Sequence, residues 1–597
     1  MKKRVAGSGN QAFPDFETLP GLIEYTARVY GTRNALNYPR NGSWISYTYE
    51  EFRDRVRRLA LGLVDAGIQP GDTVGLIAPS SPDWLIIDLA IQAAEGITVP
   101  IFNKISPESF SHEVVDSGLK LLFVGDPDEM PMAHERCGGS VRLISFGYSG
   151  THEPFDELVE RGDRLAAREP KLYDELIEKL DADGIATIIY TSGSTGLPKG
   201  VELTQRALVT QVKDAEERFP RDAETDRCIS ILPLAHVFER MVTYFHLASG
   251  FPIYFADDPK HVGDFLKEIH PSIVTVVPRV LEKVYSGFQS AIHEAPWPRR
   301  MIGAAAMRRA ERRKGGSPID AFYHGRVYSQ LKSALGGRLR YVICGSSKLD
   351  PKLARFFINI GVPVYEGYGL TEAAPVIASN GPGRRKLGTV GTPFASVEVR
   401  IAEDGEILAR GPNVMRGYHR NAEATSRALD REGWLHTGDL GWIDEEGYLG
   451  ISGRKKELFK KSTGEYVPPI PIETELEKIP FVETSIIFAD GRVYVTALLF
   501  PDMDVLPSFK GRFGLEDMND QEFLRSRFLH DYTQGLVSEI NRHRHHCEWV
   551  ERFSIMDHPA GSKSGELTPT LKVRRDFIEE KYAKLIQEMY ASIGGTK

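Results

Sequence analysis

Cysteine is scarce: Cys137, Cys228, Cys344 and Cys547 are the only four in 597 residues, scattered and without a Cys-x-x-Cys pair. That excludes a disulfide framework and fits a reducing compartment. Long apolar runs are also missing. The most apolar stretch, Trp84 to Phe102, is broken by Asp88, Gln92 and Glu95, whereas a membrane-spanning helix needs about 20 mainly apolar residues. The start, MKKRVAGSGNQAF, is basic but has no apolar core, so it does not read as a secretory signal. Nor is there an excess of positive charge: the net charge of -8 argues against a general nucleic-acid binder, whose footprint is broadly basic. No repeat with a period of about 20–50 residues is visible, which sets solenoids aside. The expectation left standing is a cytoplasmic globular protein.

What is present points to more than one domain. The chain is too long for a single core, and 41% hydrophobic with 26% charged residues is an ordinary globular balance. Thr48 and Glu51 have capping-box spacing, and Phe52, Val56, Leu59 and Leu63 then line one helical face until Gly67. Strand-like runs follow at Thr73–Ala78, Leu121–Gly125, Val141–Phe146, Ile185–Tyr190, Ser272–Val277 and Tyr341–Gly345. Their alternation with helical patterns predicts an α/β architecture with largely parallel sheets. From Thr389 to Ala409 short strands and turns predict a small β subdomain. Beyond Lys456, Ser485–Ala489, the Asp490-Gly491 turn and Val493–Phe500 read as a hairpin, with helical sequence after it. The expected division is a large multi-sheet domain, 1–455, and a smaller, mobile α+β domain, 456–597.

The strongest local signal is the segment Tyr190-Thr191-Ser192-Gly193-Ser194-Thr195-Gly196-Leu197-Pro198-Lys199-Gly200, directly after a strand. Its glycines let backbone N–H groups approach an anion, its hydroxyls add donors, and Lys199 supplies positive charge. The kinase-type P-loop does not fit. That loop places Gly-Lys-Ser/Thr five positions after its first glycine, and here the fifth residue after Gly193 is Pro198. A flexible Gly/Ser linker fits poorly too, because a strand precedes the segment and the apolar-periodic residues Leu203, Ala207, Leu208 and Val212 follow it.

This loop resembles the phosphate loop of the adenylate-forming (AMP-binding) superfamily. Four further segments resemble that family in order: Tyr365-Glu366-Gly367-Tyr368-Gly369-Leu370-Thr371-Glu372, Trp434-Leu435-His436-Thr437-Gly438-Asp439, Gly453-Arg454-Lys455-Lys456-Glu457-Leu458, and Leu567-Thr568-Pro569-Thr570-Leu571-Lys572. The run Leu232-Pro233-Leu234-Ala235-His236-Val237-Phe238-Glu239-Arg240, the last segment, and long inserts near 283–340 and 501–560 are similar to the long-chain fatty acyl-CoA synthetase subgroup.

The resemblance implies roles position by position. Tyr368 stacks on adenine, within the segment Glu366–Gly369, and Thr371 contacts the AMP phosphate. Glu372 holds magnesium together with the Ser194 hydroxyl. The residues Thr191, Ser192, Gly193, Ser194, Thr195, Gly196 and Lys199 receive the phosphates. Asp439 accepts the ribose hydroxyls with help from Arg454. Gly345 and Ser346 lie at the adenine edge, where Cys344-Gly345-Ser346-Ser347-Lys348 departs from the Gly/Ala-rich turn usual in the family. Lys572 is the catalytic lysine, Lys456 the hinge of the small domain, and Lys460 a nucleotide- or CoA-facing lysine. His236 marks the start of an acyl tunnel, and is open between sensing a carboxylate and packing as a core histidine. Gln205 stands where a histidine is common in the family.

The implied activity uses ATP and Mg2+ to convert a fatty acid into acyl-AMP and pyrophosphate, then coenzyme A to give acyl-CoA. Two alternatives stay open at this point: delivery of the acyl group to a carrier-protein thiol, and a silent acyl- or nucleotide-binding homologue. Retention of Lys199, Glu372, Asp439, Arg454 and Lys572 together argues against silence. His543-Arg544-His545-His546-Cys547 suggests zinc, but adjacent residues cannot all face one metal and two arginines flank them, so a basic helix is expected instead. Between Arg299 and Lys314, Arg300, Arg308, Arg309, Arg312 and Arg313 interleave with Met301, Ile302 and Met307. That insert either touches an anionic membrane peripherally or is a solvated helix face. Monomer and homodimer remain open.

Overall fold

The computed structural model describes residues 16–40, 42–147, 153–191, 197–222, 224–256, 261–312, 322–455, 459–561, 564–567 and 573–591. The predicted capping box forms: the Thr48 side chain accepts from the Glu51 N–H while Glu51 reaches back, and the helix Tyr49–Asp65 follows. The stretch broken by Asp88, Gln92 and Glu95 is a helix, Pro82–Ala93, and then a strand, Ile97–Ile101. Ser81 caps the helix and every residue in it except Asp83 is buried. Among the described residues no helix is long and apolar enough to cross a membrane.

Two large sheets dominate. In one, Thr73–Ile77 pairs in parallel with Ile97–Ile101 on one side and with Leu121–Val124 on the other. The other runs through the parallel strands Cys228–Ser230, Ile273–Val276, Tyr341–Cys344 and Val364–Gly369. Helices cover these strands, as near-continuous apolar parallel strands require. A four-stranded antiparallel sheet follows, from Glu398–Ile401 and Glu406–Arg410 to Leu435–Ile443 and Leu449–Arg454. It extends well past Ala409, where the sequence pattern placed its end. The strand Leu435–Ile443 carries His436, Thr437, Gly438 and Asp439 and shows no apolar alternation, so it reads as loop until its neighbours pair with it. The remainder of the chain has a three-stranded sheet, Val482–Phe488, Val495–Pro501 and Val550–Ile555, with a core of its own around Leu476, Phe481, Leu499 and Phe509. The architecture is α/β, with a large multi-sheet N-terminal part and a smaller C-terminal one.

One other expectation shifts locally. Leu203 belongs to the strand Lys199–Thr204, and the helix starts only at Gln205. Thr204 caps it, its hydroxyl accepting from the Ala207 N–H at 3.1 Å. Gln205 is itself buried: its amide nitrogen donates to Gln92 at 2.9 Å and its oxygen accepts from the Leu19 N–H at 2.9 Å.

The polar break at Asp88 has a partner 152 residues away. Asp88 and Arg240 are both 0% exposed. Arg240 donates to both Asp88 oxygens, Nε to Oδ2 at 3.0 Å, and through Nη1 to the Thr187 hydroxyl at 2.8 Å. Tyr244 donates its hydroxyl to Asp88, and Thr187 donates onward to the Thr98 carbonyl at 2.7 Å. Every member is partnered, which is the condition under which a buried ion pair is tolerated. Asp88→Ala leaves a buried unpaired guanidinium and is expected to cost about 3–5 kcal/mol in urea unfolding. The paired replacement Asp88→Leu with Arg240→Met should recover most of that loss.

Candidate functional site

The strand Val364–Gly369 leaves the core between two neighbours. Its first half pairs in parallel with Tyr341–Cys344, and Gly367–Gly369 pair antiparallel with Val376–Ser379. Gly369 is forced: a Cβ there would sit 1.8 Å from the Pro375 carbonyl oxygen. The Tyr368 hydroxyl donates to Asp439 Oδ2 at 2.7 Å, and Arg454 Nε donates to Asp439 Oδ1 at 3.0 Å. Asp439 and Arg454 face each other across adjacent strands, so the small β sheet delivers both at once. Burial, and then the Asp439 carboxylate beside it, pushes the Tyr368 hydroxyl pKa well up. Glu366 is pushed up to about 7 by burial, opposed by the Leu349 N–H that donates to it. Gly345 ends the neighbouring strand against Phe238, whose ring lies 3.0 Å from where a Cβ would be. Ser346 is exposed, with a left-handed φ of 73°.

The phosphate-type loop closes a hairpin. Thr191 pairs with Lys199 at its neck, and Ser192, Gly193, Ser194, Thr195 and Gly196 lie outside the described residues. Beside the neck, the short 3-10 turn Thr371–Ala373 carries Thr371 and Glu372. Tyr418 donates its hydroxyl to Glu372 Oε1 at 2.8 Å, and Lys199 Nζ lies 5.0 Å from the centre of the Tyr418 ring. A cation, an aromatic ring and a carboxylate thus meet next to the loop. The sequence reading missed Tyr418, which arrives because Gly417–Tyr418 adds to the hairpin as a third strand against Val201 and Glu202. Two residues are too short a run to read as a strand. It also missed the brace beneath: Tyr190 donates to Asp116 at 2.7 Å, and His112 Nε2 meets the Pro198 carbonyl at 2.8 Å, both from the helix Pro107–Ser117.

His236 caps the helix Val237–Ala248, its Nδ1 accepting from the Phe238 N–H at 3.1 Å. Behind Phe238 an apolar pocket is lined by Phe219, Met241, Phe245, Ile343 and Gly367, among others. It touches the strand that carries Tyr368. Glu239 on the same helix is buried, takes the Ser230 hydroxyl at 2.6 Å, and is pushed up to about 8 by burial.

In the C-terminal part, Lys456 and the segment Thr568–Lys572 lie outside the described residues. Lys460 pairs by its backbone with Tyr466; its side chain is likewise outside. The residues on either side of the Lys572 segment are held. Leu567 bridges to Val573. Before the segment, Glu566 is 0% exposed and accepts from Lys581 Nζ at 2.6 Å and the Tyr582 hydroxyl at 2.8 Å. After it, Arg575 forks onto both oxygens of Glu473 at 2.7 and 2.9 Å and reaches the Ile487 carbonyl at 2.8 Å. The expected basic helix does not form over the histidine cluster: the helix Arg527–Arg542 ends before it and His546–Glu548 is a 3-10 turn. His546 packs on Trp549 at 4.6 Å and Arg544 pairs with Glu548 at 3.4 Å. Among the described residues no group of three potential metal ligands converges.

Comparison with known proteins places these features in context. The AMP-binding enzyme family matches residues 23–419, and the AMP-binding enzyme C-terminal domain matches 457–594. The long-chain-fatty-acid–CoA ligase FadD15 of Mycobacterium bovis is 34% identical over 92% of this chain and 93% of its own length. A Mycobacterium tuberculosis fatty acyl CoA synthetase superposes with a TM-score of 0.62 at 21% identity, covering 95% of this chain and 99% of that one. O-succinylbenzoate coenzyme A synthetase from Bacillus subtilis, solved with ATP and a magnesium ion, has a TM-score of 0.66 at 20% identity, covering 93% and 98%.

Glu566 generates a pH prediction. Burial on its own raises its pKa, but hydrogen bonds from Lys581, Ser564 and Tyr582 outweigh that and hold the carboxyl down at about 2. A depressed pKa stabilises the fold above the ordinary carboxylate value of 4.5, and the contribution disappears as pH falls from there to about 2. Thermal melts of the native chain should drop through that window more steeply than those of Glu566→Gln, which should already melt lower at neutral pH. Parallel pH dependence in the two proteins would show that Glu566 is not the group responsible.

Proposed function

The chain belongs to the AMP-binding enzyme family, and on that premise we propose that it activates a long-chain fatty acid with ATP and transfers the acyl group to coenzyme A. The observation that carries this reading is the single strand and turn from Glu366 to Glu372. Tyr368 meets Asp439, which Arg454 also holds, and Glu372 meets Tyr418, whose ring lies beside Lys199. The first group suits a nucleoside: a carboxylate that can accept two ribose hydroxyls, held by a neighbouring arginine and tyrosine. The second suits phosphates. The pocket behind Phe238 is apolar, with Gly367 in its wall, and has room for about one water molecule, so an alkyl chain would enter there only as the surrounding side chains part.

The chemistry asks for little proton transfer. A fatty carboxylate is already ionised at pH 7. Its oxygen attacks the α-phosphorus of ATP, the bond to the β-phosphate oxygen breaks, and pyrophosphate leaves. Negative charge crowds during the attack, so positioning and electrostatic stabilisation carry most of the catalysis. Lys199, Thr371 and the segment Thr191–Gly196 orient and neutralise the phosphates. The donor set at Glu372, one carboxylate beside a phosphate loop with the Ser194 hydroxyl, fits magnesium, which is commonly held by one or two carboxylates and substrate phosphates. Bound there, the ion would neutralise phosphate oxygens. Lys572, on a 456–597 unit that turns about Lys456, completes the adenylation site. In the alternative pose Lys460 faces the site. The CoA sulfur then attacks the acyl carbonyl, AMP leaves, and no protein nucleophile is needed. Asp439 and Arg454 hold the ribose in both steps.

The test is pyrophosphate release and acyl-CoA formation with MgATP, CoA and a ladder of saturated fatty acids. Acyl-CoA should form with a long-chain optimum, and Lys572→Ala should lose pyrophosphate release while still binding AMP. Asp439→Ala should weaken AMP binding, read by calorimetry, roughly 10- to 100-fold through loss of charge-assisted hydrogen bonds. Pyrophosphate without thioester would move the acyl group to a different thiol. Pyrophosphate with none of the acids would overturn the reading.

A further inference from the structure

We propose that His112 and Asp116 are positioning residues for adenylation, which hold Lys199 where the phosphates of ATP arrive. Their role presupposes the acyl-CoA reading and adds to it a helix, Pro107–Ser117, that carries none of the family-like segments. Ser106 caps this helix, its hydroxyl accepting from the Ser109 N–H at 3.3 Å, and Gly118 ends it in a left-handed turn at φ 67°. Phe110 and Val114, four residues apart, are buried in one apolar cluster with Ile101 and Ile188. His112 and Asp116 are also four apart, so they make a second line down the helix, and both are half-buried.

That second line meets both strands of the hairpin at its neck, where Thr191 pairs with Lys199 and Tyr190 with Gly200. Asp116 holds the entering strand, its Oδ2 accepting the Tyr190 hydroxyl at 2.7 Å. Burial, and then this carboxylate, push the Tyr190 hydroxyl pKa up, so the group stays a donor. The ring has room because its cross-strand neighbour is Gly200, where a Cβ would lie 3.1 Å from Tyr190 Cζ. His112 holds the leaving strand, with Nε2 2.8 Å from the Pro198 carbonyl oxygen. A carbonyl only accepts, so Nε2 carries the proton. The His112 and Tyr190 rings meet edge to face, 6.0 Å between centres at 83°, so the two holds support each other. The third strand is tied to the same helix: Arg420, two residues past Tyr418, donates to the Asp116 carbonyl at 2.8 Å.

The Pro198 carbonyl and the Lys199 N–H belong to one planar peptide unit. Fixing the oxygen limits rotation of that unit, and with it the direction in which the Lys199 side chain leaves the strand. Anchoring the helix to the sheet does not require these polar contacts, since Phe110 and Val114 already pack with Ile188. They fall instead on the residue before Lys199 and on the residue before its cross-strand partner Thr191. A cation that must meet a polyphosphate gains from being placed beforehand, because binding then need not supply the ordering.

The test separates ATP binding from the rest of the reaction in the full chain. Affinities for MgATP and for AMP are read by calorimetry without fatty acid, and CoA thiolysis is read on supplied acyl-AMP. His112→Ala and Asp116→Ala should each weaken MgATP binding about tenfold, the hold of one hydrogen bond. AMP binding and thiolysis, which involve no β- or γ-phosphate, should stay within about twofold of native. His112→Gln keeps a donor and Asp116→Asn keeps an acceptor, and each should recover most of the loss. With Lys199→Ala already in place, His112→Ala should shift MgATP affinity by less than about twofold, because the group it acts through is gone. Unchanged far-UV circular dichroism verifies folding. Unshifted MgATP affinity, equal losses in both half-reactions, failure of both conservative variants to rescue, or a full further tenfold loss beside Lys199→Ala would each overturn the assignment alone. A native chain that releases no pyrophosphate with any acid would overturn the acyl-CoA reading, and the assignment with it.

Discussion

The rest of the molecule depends on a pair of charges that never meets water. Asp88 lies on a helix beside one large sheet, and Arg240 lies on a helix that packs on the Cys228–Ser230 and Ile253–Phe255 strands of the other. Desolvating both costs several kcal/mol per ion, so the pair survives only through complete hydrogen bonding. That requirement also fixes a third element. Arg240 holds Thr187, Thr187 holds Thr98, and the strand containing Thr187 runs on to Thr191, where the phosphate-type loop begins. The strand end at Thr191 is therefore tied to the core by a network that tolerates little slippage.

From that fixed strand the site is assembled at the carboxyl ends of the sheets, where open α/β folds collect their ligands. The two large sheets contribute different chemistry. The hairpin at Lys199 brings positive charge, and the strand ending in Gly369 brings Tyr368, Thr371 and Glu372. The small β sheet adds Asp439 and Arg454 as cross-strand partners, a geometry in which neither side chain needs to be placed independently. Tyr418 links the halves by touching Glu372 with its hydroxyl and Lys199 with its ring. The C-terminal part follows the same logic at its own loop. Glu566 and Glu473 are buried acids that anchor the chain on either side of the Lys572 segment.

Much of this was legible in the residues. The glycines, hydroxyls and lysine of Thr191–Lys199 and the segment from Glu366 to Glu372 are local patterns, and local spacing survives in the sequence whatever the fold. The capping box at Thr48 and the buried strands are legible for the same reason, since helix and strand periods act over a few residues. The small sheet was only half visible. Glu398–Ile401 and Glu406–Arg410 read as strands, but Leu435–Ile443 carries the polar run His436, Thr437, Gly438 and Asp439, which leaves no apolar period to read. Asp88 and Gln92 read as breaks in an apolar run, because nothing near them in the chain shows what they touch.

The sequence alone determined the α/β class, the order of the phosphate, nucleotide and lysine segments, and membership of the family, since each depends on residues within a few positions of one another. Tertiary structure decided which of them meet. It put Tyr418 between Lys199 and Glu372, Arg240 against Asp88, Gln205 against Gln92, and Arg575 against Glu473. It also put His112 against the Pro198 carbonyl. Partners separated by up to 152 residues, as Arg240 and Asp88 are, are selected by packing and by the need to satisfy every buried charge. Neither condition leaves a spacing that can be read along the chain.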